Sequence, residues 1–354
     1  MRNGFNTAGF SEVVHEIRKD PAEAKFVYSA RGRRSALTGL TIQVLPALLG
    51  TVKSPRQFAF SLRDPWVEAP PGEKHLPTPM DLFLAGIGSC MMTTLVGGAS
   101  ARHLALEGAE LDLTPMPRFD ASSGGMLVSA GFTLATASED ARCEQLVGRV
   151  AEQSPNYVTL VSATPVGIAS DAAPSSESVP VGTSVTSRPP ARFGDMAVSW
   201  ISGTQCLARA AGEVPGHLLR ADAPKQLTGV DWGPNPQEYL LAGLAAELSS
   251  LLFRHSLGTP FEDHAWEVVA TGVEDVRGFL GVDPTIEVGL QDVEVRITSP
   301  SGAPKAVDDV VSQAIADSEV TALLVNPIEV ALSWQRATRE GSSTKLALRP
   351  GVGE

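Results

Sequence analysis

Basic residues are scarce: 28 Lys and Arg stand against 40 Asp and Glu, for a net charge of −12 at pH 7. Phosphate binding needs a positive surface, so the balance argues against a nucleic-acid partner. The only tight basic cluster, Arg31, Arg33 and Arg34, reads by itself as a solvated turn. Cysteine is scarcer still. Cys90, Cys143 and Cys206 form no CxxC and no Cys/His ligand spacing, which argues against a disulfide framework or a zinc site. No metal or cofactor is expected. The opening stretch "MRNGFNTAGFSEVVHEIRKD" has no apolar signal core, and the expectation is a cytoplasmic protein.

What remains is a globular composition, 43% hydrophobic and 19% charged, in a chain of 354 residues that is long for one domain. From Leu82 to Ala101 no charge occurs, which is near the length that spans a bilayer. Gly86, Gly88, Gly97, Gly98, Ser89, Thr93, Thr94 and Ser100 dilute that run. A helix buried in a core or a subunit interface therefore fits better than a membrane span.

The chain says much the same thing twice. "PMDLFLAGIGSC", from Pro79, aligns with "PQEYLLAGLAAE", from Pro236, 157 residues later. Strand-like stretches precede each helix, with "AKFVYSARGRRSALTG" and "RQFAFSLRDPW" in the first half and "DMAVSWISGTQCLARAAG" and "GHLLRADAP" in the second. Alternating segments follow each: "AELDLTPMPRF" and "MLVSAGFTLAT", then "HAWEVVATGV" and "QDVEVRITSP". A second helix and a closing strand complete each copy. The Ser/Pro-rich stretch over 171–192 reads as a linker. The expected architecture is α+β, with units at 21–170 and 193–340 whose apolar helices cover each other as an intramolecular pseudo-dimer wrapped by antiparallel sheets.

"TPMDLFLAGIGSC", followed by "ARHLALEGAELDL" and "LVGRVAEQSPNYVTL", resembles the osmotically inducible protein C and organic hydroperoxide resistance (OsmC/Ohr-like) family. There a proline-led helix carries the reactive cysteine. The second half, through "ADAPKQLTGVDWGPNPQEYLLAGLAAEL", is similar. The resemblance implies protomers that exchange sheets around paired helices, with active sites at their interface. It also implies reduction of organic hydroperoxides by two cysteines, aided by an arginine and a glutamate.

Carried across residue by residue, the resemblance makes Cys90 the peroxidatic thiol, against the plain reading of a small buried hydrophobe. Ser154 occupies the resolving position and cannot form a disulfide. Cys143, eleven residues upstream, lies about 16 Å away along a helix at 1.5 Å per residue. Met80 stands where the family has its glutamate. Asp81 beside it is either a cation holder or a first-turn helix charge. Arg33 is the chosen arginine, over Arg31. The matching turn of the second half holds Cys206, with Arg209 beyond it. Glu247 stands at the second copy's cysteine position; buried, it should either pair with a cation or have its pKa raised, as a general acid/base or a partner for a first-copy arginine, and the alternative is a degenerate site with Glu247 reaching solvent at the helix edge. His103 and His255 read as capping or surface residues.

Three functions follow. One is a thiol-dependent reductase of organic hydroperoxides or related hydrophobic oxidants, with one site per chain and an external thiol reductant or Cys206 resolving the sulfenic acid. Another is a non-redox enzyme on a hydrophobic small molecule, using Cys90 or Glu247. The last is a non-catalytic ligand-binding scaffold. The first leads as a class assignment; further oligomerisation stays open.

Overall fold

The computed structural model describes residues 2–67, 75–117, 126–171, 173–179, 194–210, 217–298 and 304–338. A helix α1 (Thr7–Lys19) leads into strands β1 (Lys25–Ser35), β2 (Gly39–Val44), β3 (Leu48–Leu49), β4 (Val52–Lys53) and β5 (Phe58–Leu62). The long α2 (Pro79–Ala101) follows, then β6 (Gly108–Pro117), β7 (Met126–Ala135), α3 (Asp140–Gln153), α4 (Pro155–Val161), β8 (Val166–Ser170) and β9 (Ala173–Val179). Strands β10 (Met196–Ser202), β11 (Gln205–Ala210) and β12 (Leu218–Ala221) then precede α5 (Pro236–Ser256). The chain closes with β13 (Trp266–Asp275), β14 (Gln291–Thr298), α6 (Pro304–Asp317), α7 (Glu319–Val325) and β15 (Glu329–Arg336). The alternating stretches in the sequence are these strands, and the two apolar runs are α2 and α5.

The two central helices begin by the same local chemistry. Thr78 and Asp81 form a capping box at α2 with Pro79 in the first turn, and Asn235 and Glu238 do the same at α5 with Pro236. Asp81 is thereby committed to the helix start. Both helices are almost wholly buried, against each other and against the sheets. Among the described residues α2 is the one helix long and apolar enough to cross a membrane, and 78% of its most apolar stretch is buried. Its lack of charge is thus accounted for by packing inside the protein.

Two glycines set how the helices meet. A Cβ on Gly86 would lie 2.7 Å from Pro236 O and 2.8 Å from Leu240 N. A Cβ on Gly243 would lie 2.9 Å from Pro79 O and 2.8 Å from Phe83 Cβ. The start of each helix therefore packs on the middle of the other, and only a residue without a side chain fits at either crossing.

Strands from both halves build each sheet. In the nine-stranded sheet the order is β4-β3-β1-β13-β14-β8-β9, with β2 pairing β1 and β5. The six-stranded sheet runs β12-β11-β10-β6-β7-β15. β1 pairs antiparallel with β13 and β6 with β10, whereas β14 lies parallel to β8 and β15 parallel to β7. The fold is α+β with mixed sheets, where the sequence reading expects antiparallel ones. The parallel pairs arise because each half's closing strand joins the other half's strands. Ala173–Val179, inside the stretch read as a linker, forms β9 on β8. Residues 172 and 180–192 of that stretch lie outside the described residues.

Candidate active site

Cys90 sits on α2 and is 4% exposed. Pro155 separates α3 from α4, because its ring cannot continue the preceding helix. The break leaves Ser154 in extended backbone and the Asn156 amide without an intrahelical partner. Both point at the thiol. Ser154 Oγ donates to Cys90 Sγ at 3.3 Å, and the Asn156 backbone N–H donates at 3.4 Å. The Asn156 side chain also donates to Gly86 O at 2.8 Å and Pro236 O at 3.0 Å, so one buried amide ties both central helices to the Cys90 site.

Burial pushes the Cys90 thiol up to about 12, and the donors from Ser154 and Asn156 offset this only in part. No cation is among the groups that act on that thiol, which besides burial are Ser154, Asn156 and Glu274. At pH 7 only about one thiol in 10⁵ would be ionised.

The thiol lines a cavity of about 240 Å³. One wall is a stripe of α2, in which Cys90, Thr93, Thr94, Gly97, Gly98, Ala101 and Arg102 recur at helical spacing. At 1.5 Å per residue the stripe extends about 18 Å, from the buried sulfur to an exposed guanidinium. Phe5 and Phe10 cover it from the amino-terminal side. The other half supplies Thr204, Ala223, Leu227, Phe279 and Leu280, with Asn235, Pro236 and Gln237 from the start of α5. The lining is mostly apolar, which suits a hydrophobic small molecule.

Of the residues singled out from sequence, the structure brings Ser154 to Cys90 and places Cys206 close by. Cys206 is fully buried on β11, with the Thr93 hydroxyl beside its sulfur, and burial pushes it up to about 12. Met80 and Asp81 do not line the cavity. They start the same helix as Cys90, and ten residues of helix are about 15 Å of axis. The helix start that does meet Cys90 belongs to the other half.

Arg33 is not brought to the thiol either. β1 alternates between solvent and core, and Arg33 falls on the solvent side with its side chain 64% exposed, 2.5 Å from Glu267. Arg31 shares Glu267 at 3.4 Å. Arg34 is the inward residue. It pairs with Asp64 at 2.7 Å and stacks 4.0 Å over Phe253 of α5, at the opposite end of the helix pair from Pro236. Cys143 is buried on α3, and His255 bonds Asp317 at 3.0 Å.

Glu247 on α5 is 5% exposed and meets Ser318 and Val320. Ser318 Oγ donates to its Oε2 at 2.6 Å and the Val320 N–H donates to the same oxygen at 2.9 Å. Burial pushes its pKa up to about 7, against the pull of those two donors and of a hydrogen bond from the Glu319 backbone. Of the two alternatives for a buried Glu247, the upward shift is the one found, and no cation pairs with it among the described residues. The pattern matches Cys90: a serine at a helix break and the backbone N–H two residues on both reach the side chain at the same position of each central helix.

Sequence reasoning missed a further set of buried polar groups. Glu238 accepts from Arg56 at 2.7 Å, and Glu274 accepts from the Tyr28 hydroxyl at 3.2 Å and from Gln237 Nε2 at 3.1 Å. Burial raises Glu238 to about 7 and Glu274 to about 8. The one available signal was Gln237 and Glu238 directly after the helix-leading Pro236, in the place where the first half has Met80 and Asp81.

Residues 72–169 match the family model described as OsmC-like protein. No curated protein matches the chain. An OsmC-like protein from Mycoplasma pneumoniae, known from a crystal structure, is similar at 12% identity over 37% of this chain and 84% of its own, with a TM-score of 0.27. So weak a structural likeness adds nothing to the family match.

Proposed function

From the premise that residues 72–169 are an OsmC-like domain, we propose that the chain is a cytoplasmic thiol-dependent reductase of hydrophobic organic hydroperoxides, with its single reaction centre at Cys90. We take it to be two OsmC-like units, 21–170 and 193–340, folded as a pseudo-dimer. The reciprocal Gly86 and Gly243 crossings, 157 residues apart like the sequence repeat, support that arrangement. So does the matching of Cys90, Ser154 and Asn156 to Glu247, Ser318 and Val320.

The observation that carries the chemistry is a cysteine sulfur at the end of an apolar cavity, receiving two hydrogen bonds that favour its thiolate. In the proposed reaction the thiolate attacks the distal peroxide oxygen. The O–O bond breaks, the alkoxide leaves and takes a proton to become the alcohol, and Cys90 becomes a sulfenic acid. An external thiol then attacks the sulfenic sulfur and releases water, and a second thiol reduces the mixed disulfide. Ser154 has no part in that exchange beyond its hydrogen bond.

Dimedone trapping after cumene hydroperoxide tests this. One adduct per chain, located on Cys90 and absent from Cys90→Ser, is expected. A chain that stays unlabelled under excess peroxide would overturn the reading. It would favour a non-catalytic ligand-binding scaffold, to which the unactivated thiol at about 12 gives its own support.

A further inference from the structure

Gln237 borders the Cys90 cavity and is held in place by a buried carboxyl outside it. It is 6% exposed and lines the cavity together with Cys90. Its Nε2 donates to Glu274 Oε1 at 3.1 Å, while Glu274 Oε2 takes the Tyr28 hydroxyl at 3.2 Å. Glu274 is 1% exposed and Tyr28 is fully buried, so neither partner turns away into water.

The chemistry of these partners decides which end of the amide faces which way. A carboxylate oxygen only accepts, so the Gln237 nitrogen must be the end that meets Glu274. With Glu274 ionised, the amide is held in one orientation. Its carbonyl oxygen is left without a hydrogen-bond partner among the described residues, on a side chain that borders the cavity.

Two hydroxyls of the lining add acceptors and not donors, whereas Arg102 and Asn235, which also line the cavity, carry donors. Thr94 Oγ1 donates to Cys90 O at 2.9 Å, and Thr204 Oγ1 donates to Asp222 Oδ1. Both hydroxyl protons are committed inside the protein, which leaves lone pairs for anything in the cavity.

We propose that Gln237 is the specificity-determining residue of the Cys90 cavity, accepting a hydrogen bond from an O–H or N–H of an otherwise apolar ligand, and that Glu274 and Tyr28 are positioning residues that hold its carbonyl oxygen available. The proposal rests on Cys90 marking the ligand site, but not on Cys90 turning over a peroxide. Ligands carrying the donor bind better than isosteres in which it is masked, because a buried acceptor left without a partner carries a desolvation cost.

The probe pair is cumyl alcohol and cumyl methyl ether, used to protect Cys90 from N-ethylmaleimide at pH 9, with labelling located by peptide mass spectrometry on the full chain. The wild-type protein is expected to be protected by the alcohol at about a tenfold lower concentration than by the ether, the size of one hydrogen bond. Gln237→Met should lose that preference while keeping protection by the ether. Glu274→Gln presents an amide nitrogen toward Gln237, turns the Gln237 amide over and should abolish or reverse the preference, with ether protection again retained. Ether protection shows that each variant is folded. Equal protection by both compounds in the wild type, no protection by either, or an unchanged preference in Gln237→Met each overturns the proposal. Failure of the dimedone experiment alone removes the peroxide reaction and leaves this result standing.

Discussion

Glu247→Gln should make the protein more stable at pH 8 and leave it nearly unchanged at pH 5. In the fold Glu247 is buried, takes the Ser318 hydroxyl and the Val320 N–H on one oxygen and a further hydrogen bond from the Glu319 backbone, has no cation paired with it among the described residues, and its pKa rises from 4.5 to about 7. A carboxyl raised in this way favours folding fully below its unfolded pKa, and that contribution is lost as pH rises through about 7. At 1.36 kcal/mol per pH unit the loss is about 3 kcal/mol by pH 8. Gln keeps the size of the side chain, and its carbonyl oxygen can take both the Ser318 hydroxyl and the Val320 N–H, but it never ionises. Urea unfolding at the two pH values reads the difference directly. The variant should gain about 3 kcal/mol over the wild type at pH 8 and stay within about 1 kcal/mol of it at pH 5. Glu238 and Glu274 titrate in the same direction in both proteins, so they cancel in the comparison. A variant that loses more stability at pH 8 than at pH 5 would refute the reasoning, because it would mean that the ionised form of Glu247 is the one the fold stabilises.

Ser154→Cys puts a thiol where a hydroxyl now lies 3.3 Å from Cys90 Sγ; after one equivalent of cumene hydroperoxide it should yield an intramolecular disulfide between Cys90 and the introduced thiol, seen as the loss of both free thiols in a peptide map. Asn156→Ala removes the side-chain bonds to Gly86 O and Pro236 O and should cost about 2–3 kcal/mol in denaturant unfolding, with cavity formation included. Gly243→Ala brings a methyl group to 2.8 Å from Phe83 Cβ and 2.9 Å from Pro79 O; a loss of about 1–3 kcal/mol is expected, and an unchanged midpoint would show that the helix crossing is looser than described. Arg33→Ala should leave the alkylation rate of Cys90 within about twofold, since that guanidinium pairs with Glu267 at the surface.

The periodicity of the chain carried most of the fold. Alternating stretches became strands, the two apolar runs became buried helices, and the Pro79 and Pro236 signatures marked their starts. Which strands would pair was not legible, because the β1–β13 and β8–β14 partners lie far apart in sequence and nothing local specifies them. Parallel pairing escaped notice for the same reason. The helix α1 was passed over although Phe10, Val13, Val14 and Ile17 recur at the spacing of one helix face; Phe10, with Phe5 just before the helix, lines the cavity.

At the site, Cys90 with Ser154 was legible through the family pattern, whereas the place of Glu247 on an apolar helix left both burial and a reach to solvent open, and the structure buries it. Gln237 was not, since reading each half by itself assigns to Cys90 the start of its own helix. Helix rise forbids that, and packing brings the start of α5 instead. The choice among Arg31, Arg33 and Arg34 was open to strand alternation, which turns Arg34 inward, but the inward arginine serves Asp64 and Phe253.

The central claim is that Cys90 is an oxidisable thiol, held neutral by burial, in an apolar cavity. The rate of Cys90 oxidation by cumene hydroperoxide, followed by mass spectrometry between pH 7 and pH 9, tests it most directly. With the thiol at about 12, the rate should climb about tenfold per pH unit across that range and vanish in Cys90→Ser, because only the thiolate reacts. A rate that is flat with pH would contradict the account by revealing a thiolate already formed, and no oxidation at pH 9 would contradict the chemistry itself.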